Sequence, residues 1–437
     1  MPQENEMNEP KVKTEKASSN IPPIPRLIMK NTVFFALAQA LQGVGMQLAV
    51  TFSAIMVIRL LGNASLAGLG GGILGISRFA VAYPMGKLTD VYGRKPGMLI
   101  GLLMTTSGSI VLGICMTMLS FPLFVIGILI LGLGVGAVMQ LRVAAADMYP
   151  VSRRAEGLGY VLTGSVIGAF GAPILVALGE ILSKEYSYDP ITISWGLTPV
   201  VLLPALIFIL LVRPDPKFIA MNLEKFWEGV TAEKIIQQKG AESNTGIKRF
   251  LKDKNKQVAF SCYGAAQGTM AMMMVMTPLV LSESGYSLSS ISLTVSLHVF
   301  GMFAFSVPMG RLSDRIGRKP VLGAGVILVA IGSCLVPLTD QYWIITFGLF
   351  IIGLGWSGTN VASTALIADT SDPEERGRAI GTNDSVASAV SIVTPLVGGI
   401  VVEYLGLVAV GLLGGAIMLL PLILYPRLKE SSPGVYA

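Results

Sequence analysis

Gly86-Lys87-Leu88-Thr89-Asp90-Val91-Tyr92-Gly93-Arg94-Lys95-Pro96 recurs 224 residues later as Gly310-Arg311-Leu312-Ser313-Asp314-Arg315-Ile316-Gly317-Arg318-Lys319-Pro320. Each copy follows Pro-Met (Pro84-Met85, Pro308-Met309), and two further matches keep the register. Phe35…Gln42-Gly43 returns as Phe260…Gln267-Gly268, and Asp147…Arg154…Gly159 returns as Asp369…Arg376…Gly381. Matches in register across half a chain mean two related halves. Each charged copy lies between long apolar runs, which decides what those halves are made of.

Apolar spans read near 32–57, 66–86, 97–118, 122–146, 157–182 and 192–212. A polar stretch follows, then 258–281, 289–309, 320–339, 342–368, 379–402 and 404–424. Runs of about 20 apolar residues are the length of a membrane-crossing helix. The chain of 437 residues is 52% hydrophobic and only 13% charged, with a mean hydropathy of +0.68. Soluble domains carry roughly 25% charged residues, so lipid is the expected solvent. The expected fold is an all-α membrane protein of twelve transmembrane helices in two pseudo-symmetric six-helix bundles. Its parts are a polar tail (1–31), a first bundle (32–212), a linker (213–257), a second bundle (258–424) and a second tail (425–437).

Charge placement sets the orientation. Of 32 Lys and Arg, 28 fall in the tails and the alternate loops that share one side. The positive-inside rule makes that side cytoplasmic, with both termini there, in the cell's plasma (inner) membrane. The net charge of +6 therefore follows topology, and a nucleic-acid partner is excluded. Cys115, Cys262 and Cys334 lie within apolar runs without a pairing pattern, and one histidine without a cysteine cluster offers no metal site. Residues 1–31 lack a signal-peptide core. In the linker, Ile219, Leu223, Phe226, Trp227 and Val230 recur at helical spacing among charges, as in an amphipathic helix on the lipid surface or a tether between halves. Residues 239–256 read as a flexible basic linker.

The stretches Gly86–Pro96 and Gly310–Pro320 resemble the loop signature of the major facilitator superfamily, twice and at the expected loops. The resemblance extends over nearly all of 32–424 and is nearest to poorly characterised bacterial members beside the drug-exporter branches. It implies two bundles rocking around a central site, no cofactor, a small-molecule substrate, lipid surroundings and a monomer. It also implies a gate latch of Gly86, Asp90, Gly93, Arg94 and Asp147, mirrored by Gly310, Asp314, Gly317, Arg318 and Asp369. Asp90 would meet the N-terminus of the eleventh helix, where a carboxylate gains about 0.3–1 kcal/mol from the helix dipole. Arg94 would reach Asp147, and Arg318 would reach Asp369. The alternative is that these charges only set topology.

Ionisable groups inside spans each cost roughly 2.5–3.5 kcal/mol on insertion scales and mark function. Arg78 and Asp384 are expected to meet, as a conformation-dependent pair, as a protonatable carboxylate under arginine control, or as a static pair. Arg142 either binds an anionic substrate group or snorkels beside Asp147. His298 is a titrating group or a helix-packing hydrogen-bond partner. Candidate cavity groups are Gln39, Gln42, Gln47, Gln140, Gln267, Trp356 and Asn360, with the methionines 270, 272, 273, 274 and 276 as adaptable apolar lining.

Two departures from the family pattern bear on function. Ile128 and Ile130 stand where many proton-driven members carry an arginine, which weighs against proton coupling. The exporter motif of the fifth span survives loosely as Gly164, Gly168, Gly171-Ala172-Pro173. Gly132, Gly134 and Gly136 imitate a dinucleotide fingerprint but follow no strand, and no phosphate-binding Gly-x-x-x-x-Gly-Lys-Ser/Thr loop exists. The expected function is a non-enzymatic secondary transporter exporting amphipathic compounds, with H+ as a candidate coupling ion. An importer or facilitator of an organic anion is the alternative, ahead of a sensor or membrane enzyme.

Overall fold

Asp189 ends one helix connection and begins another helix with its own side chain: its carboxylate accepts the Thr192 N–H at 3.0 Å, and Pro190 follows at the first helical position. The same capping logic opens helices at Asp253 and Ser287. In the computed structural model, residues 23–150, 153–227, 252–371 and 376–428 are described, and these are helical with no strand.

The first six spans are Arg26–Leu61, Leu69–Tyr92, Arg94–Met118, Phe121–Val138 continued by Gln140–Asp147, Arg154–Tyr186 and Pro190–Leu211. The seventh is Lys254–Glu283, and the eighth is bent by 41° between Leu288–Ala304 and Ser306–Ile316. Arg318–Leu335 and Tyr342–Asp369 are the ninth and tenth. The final run, Arg376–Leu419, has one non-helical residue, Gly406 (φ 80°, ψ 174°). At 1.5 Å per residue a single helix of that length would be about twice the hydrocarbon thickness, so Gly406 divides it into the eleventh and twelfth spans. Twelve crossings follow, as the hydropathy pattern requires. Helices suit this solvent because they satisfy every backbone group internally.

Side chains sort accordingly. Ile167, Ile174 and Ile181 are exposed at seven-residue spacing along the fifth span, an apolar stripe suited to lipid. Gly132, Gly134 and Gly136 lie against Ser77, Thr105 and Arg78 of neighbouring helices, where a side chain would collide. Their role is close packing. Between the halves, the second span packs on the eleventh, the fifth on the eighth and the first on the seventh.

The linker departs from the single amphipathic helix of the sequence pattern. Two short helices, Pro216–Met221 and Leu223–Phe226, are separated at Asn222. Ile219 (0% exposed) and Trp227 (2%) are buried against the first bundle. Trp227 donates to the Met148 carbonyl at 2.9 Å, its ring lies 5.4 Å from that of Tyr149, and the Arg153 guanidinium covers it at 5.2 Å. The Tyr149 hydroxyl, held above its ordinary pKa by burial, pairs with Thr32 at 3.0 Å. The apolar face therefore covers protein. Val230, residues 1–22 and 429–437, and most of 239–256 lie outside the described residues.

Candidate functional site

Gly93 and Gly317 both adopt φ 99°, a left-handed conformation that turns the chain sharply between two helices and favours glycine. The turn aims the next residue, an arginine, back at its own bundle. Arg94 Nε donates to Asp147 Oδ2 at 2.8 Å and Arg94 Nη1 to Asp90 Oδ1 at 2.9 Å. In the second half Arg318 Nε donates to Asp369 Oδ2 at 3.0 Å, and Arg318 Nη1 pairs with Asp314. One arginine thus bridges two carboxylates in each half. Asp90 and Asp314 remain 70% and 69% exposed. Gly86 faces open space and Gly310 has only an ordinary contact with Val361, so neither carries close helix packing here.

Each arginine turn is braced by the segment that follows its bundle's sixth span. Asp215 accepts the backbone N–H groups of Arg94 (3.1 Å), Lys95 (2.9 Å) and Lys217 (2.8 Å). Lys217 Nζ donates to the Asp90 carbonyl, and Lys95 Nζ donates to the Leu210 carbonyl at 2.7 Å and the Val212 carbonyl at 3.1 Å. In the other half the Tyr425 hydroxyl donates to the Lys319 carbonyl at 2.7 Å, and Lys319 Nζ donates to Leu428 at 3.2 Å. Asp215 before Pro216 is a helix-cap signal readable in sequence, but its reach to residue 94 is not.

Contacts between the halves concentrate at the end opposite these turns. A Cβ at Gly68 would collide with the Pro395 carbonyl, and one at Gly399 would lie 2.5 Å from the Ser65 carbonyl. Glu180 of the fifth span accepts the Ser289 hydroxyl at 2.6 Å and its N–H at 3.3 Å, at the N-terminus of the eighth. Ser296 donates to the Ala169 carbonyl at 2.6 Å, and Gln47 donates to Ser296 at 3.5 Å. Glu180 carried no sequence signal beyond being an acid near a span end.

The same register locates Arg78 and Asp384. Gly71 and Gly75 lie against Pro395 and Ile392 respectively. Continued residue for residue from Gly75 and Ile392, Asp384 falls level with about Tyr83, roughly five residues or 7.5 Å from Arg78 along the axis. Tyr83 is 80% exposed and Asp384 is exposed as well: the two helices have parted at this depth. Among the described residues Arg78 and Asp384 form no ion pair with each other.

Arg142 points across the seam. Its guanidinium lies 5.7 Å from the ring centroid of Phe303 in the eighth span, while Asp147 pairs with Arg94 instead. Arg142 Nε is buried with no hydrogen-bond partner, and the Arg78 backbone lies against Gly136, six residues earlier in the same span as Arg142. Beyond Phe303 stands Trp356 at 6.1 Å, then Tyr263 at 6.4 Å. The Trp356 N–H donates to Gln267 Oε1 at 2.5 Å. Phe303 and Tyr263 had been unmarked in the sequence, as apolar and aromatic residues in spans generally are.

Other candidates sit elsewhere. His298 is fully buried, with Nδ1 2.7 Å from the Leu349 carbonyl and Nε2 unpartnered, a packing position within the second bundle. Gln39, Gln42 and Gln47 are buried along the first span, with Gln42 Nε2 unpartnered, and Asn360 is half-buried. The Gln140 side chain lies outside the described residues. Met272, Met273, Met274 and Met276 are buried in the core, with Met272 against Gly398, and Met270 is half-buried.

Comparison with known proteins places this geometry. A family model described as Major Facilitator Superfamily matches residues 32–255 and 259–435. An uncharacterized MFS-type transporter of Bacillus subtilis, YdeG, is 25% identical over 92% of this chain and 93% of its own length. The riboflavin transporter RfnT of Brucella anthropi is 23% identical over 82% of this chain and 85% of its own. Among solved structures, the nucleoside transporter NupG superposes with a TM-score of 0.69 at 14% identity, over 92% of this chain and 99% of that one.

Proposed function

From the premise that the chain belongs to the Major Facilitator Superfamily, we propose that it is a secondary transporter working by alternating access, in a state open toward the arginine turns. One observation carries the reading: the halves interlock at one end, through Gly68–Pro395 and Glu180–Ser289, while Tyr83 and Asp384 are exposed at the other. The positive charge of the turn-bearing side supports a cytosolic assignment for it. A state open to the cytosol, with the aromatic series Phe303, Trp356 and Tyr263 beside Arg142, suits export of small amphipathic compounds from the cell, through the plasma membrane. Kinship with a protein named a riboflavin transporter supports a planar aromatic solute. In this reading the two Asp-Arg-Asp groups are the resting half of a latch. Closing the cytosolic end would bring Asp90 to the N-terminus of the eleventh helix. Asp384, exposed on the open side, is the coupling carboxylate if protons drive the cycle.

The test is flux in proteoliposomes. In a background without the three native cysteines, Glu180→Cys and Ser289→Cys are bridged by a short bifunctional thiol reagent. Bridging should abolish protein-dependent flux of an amphipathic dye, and cleavage of the bridge should restore it. Flux that continues with the outer end bridged removes alternating access. An imposed pH gradient should accelerate flux in the parent protein and not in Asp384→Asn; indifference of the parent to the gradient makes it a facilitator.

A further inference from the structure

The centre of the seam has a chemical polarity that narrows the solute further. Two arginines, Arg78 and Arg142, lie on packed neighbouring spans, the Arg78 backbone against Gly136 six residues before Arg142, and neither forms an ion pair among the described residues. An unneutralised cation in this setting is costly, and two together are costlier, unless an anion joins them. The unfilled hydrogen-bonding capacity beside Arg142 is that of donors. Arg142 Nε is a buried donor without an acceptor. Gln267 has its carbonyl oxygen occupied by the Trp356 N–H, which leaves its amide N–H groups as donors. The opposite pole is acidic: Gly264, next to Tyr263, packs against Val386, two residues along the eleventh span from Asp384. Between the poles runs the ring series Phe303, Trp356 and Tyr263, with Phe303 under the Arg142 guanidinium.

We propose that this is a binding site for an aromatic organic anion, its carboxylate held by Arg142 and its ring laid against Phe303 and Trp356. The inference rests on the transporter reading above and specifies its substrate class. A guanidinium presents parallel N–H donors that match a planar carboxylate, and Phe303 already holds the guanidinium in place from the opposite half. The ligand thus joins the two halves: its head is bound by the fourth span and its body by the eighth and tenth. Orientation follows from charge. The carboxylate lies at the Arg142 pole, and a second carboxylate at the far end of the ring would face Asp384 and be repelled.

Calorimetric titration of the solubilised full-length protein with naphthoate, naphthamide and naphthylmethylammonium tests this without requiring flux. Naphthoate should bind about tenfold or more tightly than the isosteric amide, with the ammonium weakest. Arg142→Gln should reduce naphthoate to the level of the amide and leave the amide unchanged. Arg142→Lys, which keeps the charge but loses the fork, should retain part of the preference. Phe303→Leu should weaken naphthoate and naphthamide alike. Naphthalene-2,6-dicarboxylate should bind more weakly than naphthoate, and Asp384→Asn should narrow that gap. Naphthoate that binds no better than the amide, a preferred ammonium, or a carboxylate preference surviving in Arg142→Gln overturns the proposal, as does no binding of naphthoate at millimolar concentration. If Arg142→Gln does not fold, the parent's ranking of the three ligands and the Lys variant decide. A negative bridging experiment with a positive titration would sink the transport mechanism and leave the site standing.

Discussion

The two ends of the seam between the halves are held by opposite means. At the Glu180 end the halves touch through backbone: Gly68 lies against the Pro395 carbonyl, Gly399 against Ser65, and one carboxylate reaches the N-terminus of a helix in the other half. At the end bearing the turns, the charges are abundant but are satisfied inside each half. Arg94 serves Asp90 and Asp147, Arg318 serves Asp314 and Asp369, and Asp215 or Tyr425 braces the turn from its own side. Backbone contact at van der Waals distance seals tightly but is lost as soon as the helices separate, because dispersion falls off within an ångström. Charges bridged within one half remain satisfied while the halves move. An assembly so arranged can open that end without breaking the ion pairs of its turns.

The largest expected effect comes from breaking the backbone-sealed end. Gly68→Leu places a side chain where the Pro395 carbonyl sits, and overpacking costs about 1–3 kcal/mol. Val275→Cys lies buried behind Gly71 in the same seam. Its labelling by an impermeant thiol reagent should rise about tenfold or more in Gly68→Leu, since about 1.4 kcal/mol corresponds to a factor of ten. An unchanged labelling rate means that the seal does not depend on glycine.

A middle-sized effect sharpens the comparison at the other end. Asp215→Ala removes a carboxylate from three backbone N–H groups and should destabilise the solubilised protein by about 2 kcal/mol. Tyr425→Phe, which removes one hydrogen bond, should cost about 1 kcal/mol. Denaturation midpoints measure both, and a greater loss in Tyr425→Phe would reverse the order of the two braces. The smallest effect is Glu180→Gln. It keeps an acceptor for Ser289 but removes the charge beside the helix terminus, worth about 0.3–1 kcal/mol, so labelling of Val275→Cys should rise only a few-fold. A rise as large as that in Gly68→Leu would make the charge, rather than backbone contact, the main seal.

Sequence periodicity and the repeated Gly-Arg-Lys-Pro turns specify much of this molecule. Hydrophobic length counts the spans because a hydrocarbon slab leaves helices few alternatives, and an internal repeat survives folding as pseudo-symmetry. The bridging of Arg94 to Asp147 was legible for the same reason: a turn of fixed geometry beside a span end leaves few partners. The linker shows where pattern reading stops. Ile219 and Trp227 have the spacing of an amphipathic helix, but spacing does not say whether the apolar face meets lipid or protein, and here it meets Met148 and Tyr149.

Side-chain depth was the harder quantity. Counting from Gly86 and Gly381 put Arg78 and Asp384 at one level, whereas the close approach of Gly71 and Gly75 to the eleventh span sets a register that separates them. The sequence by itself determined the lipid-embedded helices, their number, the duplication and the charged turns, because these depend on local composition and chain length. Only the tertiary structure decided which end of the seam is closed, that Phe303 covers Arg142, and that Glu180 crosses between halves. Such pairings depend on the rotation and offset of helices far apart in the chain, and hydrophobic packing, being non-directional, leaves those unspecified until the bundles are assembled.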